Sequence, residues 1–205
     1  EGFRLRPWEE PERVFQLEAR DFGSLYHTVA ERLFTWLREE GLLPVARAQL
    51  ARIENRLRVV VDEAAGELVA QGKILNDALL APARGSIHSA LSELLQREAD
   101  ADDGFVPAAF EQRFEGVEVP LAEGRVVSFN GKIDRADFRA GAKKTVRIVD
   151  YKTSRTPVSL ADAAASVQLG FYLLAASADP DLAALGQAAS AEMWFPATGA
   201  KKVTT

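Results

Sequence analysis

The chain has 205 residues, 47% of them hydrophobic and 27% charged, with a formal net charge of −5, which supports one compact domain with a sizeable core. Cysteine is absent, which excludes disulfides, thiolate catalysis and any thiolate-bound cluster within this segment and agrees with a cytoplasmic protein. No apolar run approaches the roughly 18–20 residues of a membrane span, and residues 1–15 lack the apolar stretch of a signal peptide.

The chain opens at Glu1-Gly2-Phe3 and closes at Lys201-Lys202-Val203-Thr204-Thr205. Both ends read as cut, so a piece of a larger protein is expected. Residues 1–22 hold two prolines and mix charges with aromatics, an extended lead-in. From Gly23 to Glu40, Leu25, Val29, Leu33 and Trp36 recur at helical spacing, and Gly41 ends the run. Pro44 opens a second helical region to Ala70, with Leu50, Ile53, Leu57, Val60 and Val61 on its apolar side and Arg47, Arg52, Arg56 and Arg58 on a solvated face. A third helix is expected over Ser86–Glu98, followed by a polar loop over 99–104.

The texture then changes to strands at Phe110–Val119, Arg125–Phe129 and Val146–Tyr151, with turns marked by Gly124, Gly131, Gly141 and Ala142. Helical spacing returns over Leu160–Ala176 and Asp181–Ala189, before a last strand at Ala191–Phe195. No internal repeat is present. The order implies an α/β fold with a mixed central sheet flanked by helices, one domain over 1–205 with a helical part at 23–100 and an α/β core at 105–205.

Two segments carry chemistry: Asn130-Gly131-Lys132-Ile133-Asp134 and Ile148-Val149-Asp150-Tyr151-Lys152-Thr153. Residues two apart on a strand share a face, so Asp150 and Lys152 project together. Asp134 lies sixteen residues before Asp150, room for a strand, a turn and a return strand. Two converging carboxylates suit Mg²⁺, which takes one or two protein carboxylates and fills its other positions with water and phosphate oxygens. A lysine beside such an ion orients the attacking water or offsets charge on the phosphate. Asp-x-Lys alone is common in solvated surface hairpins; the two strands in this order set it apart.

Four segments resemble the RecB/AddB-type nucleases of the PD-(D/E)XK superfamily. Gly23-Ser24-Leu25-Tyr26-His27 fits G-x-x-x-H and Gly131-Lys132-Ile133-Asp134 fits G-x-I-D. Asp150-Tyr151-Lys152-Thr153 fits D-Y-K-T, and Gln168-Leu169-Gly170-Phe171-Tyr172 fits Q-x-x-x-Y, all in family order. The resemblance implies the PD-(D/E)XK fold and a metal-dependent deoxyribonuclease using Mg²⁺, with Mn²⁺ as a substitute. It favours exonuclease over endonuclease action, a choice the residues themselves leave open. It makes His27 a metal ligand beside Asp134 and Asp150, with the Tyr151 backbone carbonyl nearby, and Lys152 the catalytic lysine. Gln168 and Tyr172 would touch the nucleic acid or brace the site, and Glu111 matches a less specific acidic position on the first strand. His88 has no motif around it and is left as structural. Many AddB-type nucleases also hold an iron–sulfur cluster on flanking cysteines, which this cysteine-free segment cannot.

The favoured reading is the nuclease domain of a helicase–nuclease acting on DNA in double-strand-break repair, with the motor in the same chain or in a partner subunit. A degenerate nuclease fold kept as a DNA-binding scaffold and a stand-alone exonuclease are the alternatives. A net charge of −5 runs against a free-standing nucleic-acid binder but suits a domain tethered to a motor. Lys132, Arg135 and Arg155 are the basic residues expected at the cleft rim.

Overall fold

The structure, a computed structural model, describes residues 17–74, 77–120, 124–154 and 156–204. Most of the expected lead-in, and Arg155, lie outside the described residues. Helix α1 spans Ala19–Glu39 and buries Leu25, Val29, Leu33 and Leu37 along one line, with Tyr26, Ala30 and Phe34 along the next. It starts four residues before the expected Gly23, which sits inside the helix with space for its Cβ 3.6 Å from Thr153 Oγ1. Gly41 ends it in the left-handed region (φ 64°), where the Leu42 N–H donates to the Leu37 carbonyl at 2.8 Å.

A 3-10 turn at Arg47–Gln49 leads into α2 (Leu50–Ala70). Helix α3 spans Ala81–Asp100, starting five residues earlier than the sequence suggests. Pro82 in its first turn is pre-set for helix, and Gly85 is carried through rather than breaking it. No helix among the described residues is long and apolar enough to cross a membrane.

Five strands follow: β1 (Val106–Pro120), β2 (Val126–Arg139), β3 (Thr145–Tyr151), β4 (Gln187–Phe195) and β5 (Ala200–Thr204). They form one sheet in the order β1-β2-β3-β4-β5. Only the β3/β4 pair is parallel. A parallel neighbour needs a crossover, supplied by α4 (Leu160–Ala164), α5 (Val167–Ala178) and α6 (Pro180–Leu185). The sequence reads α4 and α5 as one helix. Ser166 divides them, its side chain capping α5 by accepting from the Leu169 N–H. Strand β2 runs ten residues past the expected Phe129, which puts Asp134 mid-strand, and β5 was not expected.

The sheet divides two apolar clusters. On one face Val149, Tyr151 and Trp194 pack beneath α1, α2 and α3. On the other, Ile133, Ala136, Val146, Ile148 and Met193 pack against Leu169, Tyr172, Ala175 and Ala176 of α5. Truncating a fully buried side chain such as Leu33 costs about 2–5 kcal/mol in cores of this kind.

Candidate active site

The long β2–β3 hairpin sets the site's register. Arg135 pairs with Val149 at the end of the ladder, and Asp134 and Asp150 follow immediately beyond that pair. The Tyr151 N–H donates to Asp134 Oδ2 at 2.8 Å, which brings Tyr151 to the site through its backbone. Both carboxylates are buried, at 8% and 3% exposure. Lys152 Nζ lies 2.7 Å from Asp150 Oδ2, so the two project together as the two-residue repeat of a strand requires. Gln168, in the first turn of α5, ties this end together. Its Oε1 accepts from Lys152 Nζ at 3.0 Å, and its Nε2 donates to Asp150 Oδ1 at 3.2 Å and to the Tyr172 hydroxyl at 2.7 Å. Gln168 and Tyr172 meet because residues four apart on a helix are neighbours.

His27 reaches the same acids from α1. Its Nδ1 lies 3.4 Å from Asp134 Oδ1 and 3.3 Å from Glu111 Oε1. Glu111 faces Asp134 across the β1–β2 pair, because Phe110 pairs with Arg135 and Gln112 with Ile133. Its backbone is left-handed (φ 49°), rare for a residue with a side chain. That kink breaks the strand's alternation. Phe110 packs with the α1–α3 cluster, yet Phe114, four residues on, packs with the α5 cluster. Lys132 ion-pairs with Glu111 at the mouth.

Charge at the site is tightly coupled. Burial, reinforced by the Asp134 charge and opposed by Lys152, pushes the Asp150 carboxyl up to about 6. Burial alone would lower the His27 pKa. Hydrogen bonds to Asp134 and Glu111 outweigh it and raise the imidazole to about 10. Burial likewise works against ionisation of Glu111, but His27 and Lys132 hold its carboxyl below the usual range. The two carboxylates thus favour the protonated form of His27.

The family model described as the PD-(D/E)XK nuclease superfamily matches residues 2–204. The chain belongs to the PD-(D/E)XK nuclease superfamily. It is also similar to bacterial proteins named as a subunit of an ATP-dependent helicase/deoxyribonuclease. That of Heliobacterium modesticaldum is 32% identical over 186 residues, covering 82% of this chain and 14% of the relative. That of Symbiobacterium thermophilum is 31% identical over 192 residues, covering 85% and 16%. The Geobacillus thermodenitrificans protein is 29% identical over 172 residues, covering 78% and 14%. The chain thus spans about a seventh of the length of these relatives.

PD-(D/E)XK nucleases generally use divalent metals, and the donor set here fits one. One ligand atom each from His27, Glu111 and Asp134 lies within 4.8 Å of the others. Oxygen donors with one imidazole suit Mg²⁺ and Mn²⁺. Asp150 stands beside this trio rather than in it. Its buried Oδ2 has no directed hydrogen bond, although the Lys152 ammonium lies close.

One basic residue is misplaced by sequence reasoning. Arg135, expected at the cleft rim, is fully buried beneath the helical layer. It donates to Asp137 at 2.5 and 3.0 Å, to Glu98 at 3.0 Å and to the Tyr151 hydroxyl at 3.2 Å. Its guanidinium also lies over the rings of Phe34 and Trp194. Arg147 joins the network through Asp137 and Asp103. Asp137, two residues on, was the available signal: a buried guanidinium requires such partners.

Proposed function

We propose that this domain hydrolyses phosphodiester bonds in DNA as the nuclease part of a cytoplasmic helicase–nuclease of double-strand-break repair, with exonuclease action. The observation that carries the reading is the meeting of His27, Glu111, Asp134, Asp150 and Lys152 at the end of one hairpin. Support for the DNA substrate and the helicase partner comes from the relatives, whose names describe a helicase/deoxyribonuclease.

In this mechanism His27, Glu111 and Asp134 would hold Mg²⁺, with Asp150 beside them and the Tyr151 carbonyl nearby, and Mn²⁺ would substitute. When bound, the ion supplies positive charge to the scissile phosphate and acidifies a water at neutral pH. The chain's own residues do the rest. The Lys152 ammonium orients the attacking water or offsets charge developing on the phosphate oxygens. Gln168 fixes that amine and one oxygen of Asp150 at once, so the acid and the lysine move together. Tyr172 braces Gln168 in turn.

Labelled single- and double-stranded DNA incubated with Mg²⁺, with and without EDTA, tests the reading. Cleavage that EDTA stops is expected, and DNA left intact with Mg²⁺ refutes it. Lys152→Ala is expected to slow cleavage by about 10²–10³, comparable to removing one preorganised electrostatic contact. Mn²⁺ should bind that variant at least as well as the wild type by calorimetric titration. A wild-type cleavage rate would remove the lysine from the chemistry.

A further inference from the structure

A cavity lies beside the candidate site on the other flank of α1. It is a groove of about 710 Å³ between the start of α1, the first half of α3 and the β4–β5 turn. That volume falls within the roughly 300–1,000 Å³ of small-molecule sites. Its walls combine the Phe22 ring with the hydroxyl-bearing residues Ser86, Ser89, Thr153 and Thr198. Tyr26 lines it too, 1% exposed, with a hydroxyl that has no hydrogen-bond partner among the described residues. Among those residues its sole charged lining group is Glu93, which pairs with Arg97 at 3.1 Å.

The lining selects the ligand's chemistry. Among the described residues the lining itself offers no cation for a phosphate, which needs positive charge or clustered N–H donors. Neutral hydroxyls and one aromatic face suit a flat, uncharged group with hydrogen-bonding edges, which is a nucleobase. Thr153 joins the groove to the chemistry, since it directly follows Lys152 in the chain. The cations stand on the other flank, where Arg20 and Lys132 line a separate cleft with His27, Glu111 and Asp134.

We infer that the groove between α1 and α3 is a base subsite, receiving an unstacked nucleobase of the strand whose phosphate lies at the acids. This rests on the nuclease reading above. The α1 N-terminal half then divides the strand, with the backbone on its His27 flank and a base on its Phe22 flank. Phe22 stacks on the base, and the hydroxyls of Ser86 and Ser89 meet its edge.

Gly85 provides the test. It lines the groove inside α3, and a Cβ there meets nothing within 4 Å. Gly85→Trp therefore fills the groove while replacing the poorest helix former other than proline, so the fold tolerates it. Binding is measured by fluorescence anisotropy in EDTA with two probes: a fluorescein-labelled single-stranded thymidylate 12-mer, and the same phosphodiester chain made wholly of abasic deoxyribose. Gly85→Trp is expected to weaken the thymidylate strand about tenfold, in the range of one lost base–aromatic stack, and to leave binding of the abasic strand within twofold. Phe22→Ala should show the same contrast. Equal loss on both probes would mean that the groove holds backbone, and no loss on either would mean that the strand does not enter it; both overturn the inference. Failure of the nuclease reading is seen separately, as no cleavage of the thymidylate strand by wild type with Mg²⁺.

Discussion

The Asp150 carboxyl, held at about 6 by burial and by Asp134, is ionised at neutral pH at the expense of the fold. A raised carboxyl pKa contributes stability that is present below the unfolded value of 3.8 and is lost as pH climbs through 6. Asp150→Asn removes that loss. In EDTA the variant should exceed wild type in stability at pH 8 by about 1–3 kcal/mol, since each tenfold change in an ionisation constant corresponds to about 1.36 kcal/mol, with the gap closing toward pH 4. Urea denaturation at the two pH values checks this, and a pH-independent gap refutes it. The same substitution should abolish cleavage. His27 titrates in the same sense at higher pH: its stabilisation is complete below 6.5 and fades as pH rises through about 10. A metal needs the neutral imidazole, so binding at pH 8 should release about one proton, and about two at pH 5, where Asp150 also starts protonated. Calorimetry in buffers of different ionisation enthalpy counts them. No release at pH 8 would remove His27 from the ligand set.

At the scale of elements, β1 and β2 meet at an unusually close contact. A Cβ on Gly131 would lie 2.4 Å from Phe114 Cζ, so the glycine of Gly131-Lys132-Ile133-Asp134 is required by the Phe114 ring rather than by a turn. Gly131→Ala should destabilise by about 1–3 kcal/mol, the usual cost of overpacking. Phe114→Leu should recover part of that in the double variant, a non-additivity read from urea midpoints. This contact also shows what a sequence discloses. Asp134, Asp150 and Lys152 were legible because strand periodicity alone puts the last two on one face, and β3 has the apolar run of a buried strand. The α1–α3 faces were legible from their helical spacing. Glu111 was faint, since its place beside His27 depends on a left-handed backbone that no periodicity encodes. Arg135 was misjudged because burial of a guanidinium depends on acids distant in sequence, Glu98 among them. Strand β5 was hidden because a short strand beginning Ala200-Lys201-Lys202 lacks an alternating apolar pattern.

For the whole molecule, the net charge of −5 sets a limit on unaided DNA binding. Arg135 is locked in the core, and among the described residues Lys132 and Lys152, beside the acids, are both already paired with carboxylates. The isolated chain should therefore bind duplex DNA weakly, with an affinity that falls steeply as salt rises, about 0.9 log units per log unit of salt for each phosphate contacted. Tight binding insensitive to salt would contradict this charge distribution. The hairpin that joins β2 to β3 has a consequence for how the molecule assembles. The Asp134–Tyr151 bond closes a span of 17 residues, whereas His27 meets Glu111 across 84. Loop-closure entropy makes the longer span costlier by about 1.4 kcal/mol. The facing carboxylates therefore form early, and the imidazolium that offsets them docks late with the helical layer. Between those events the nascent hairpin bears uncompensated negative charge, and a divalent cation in the refolding buffer should shorten that interval in a stopped-flow trace.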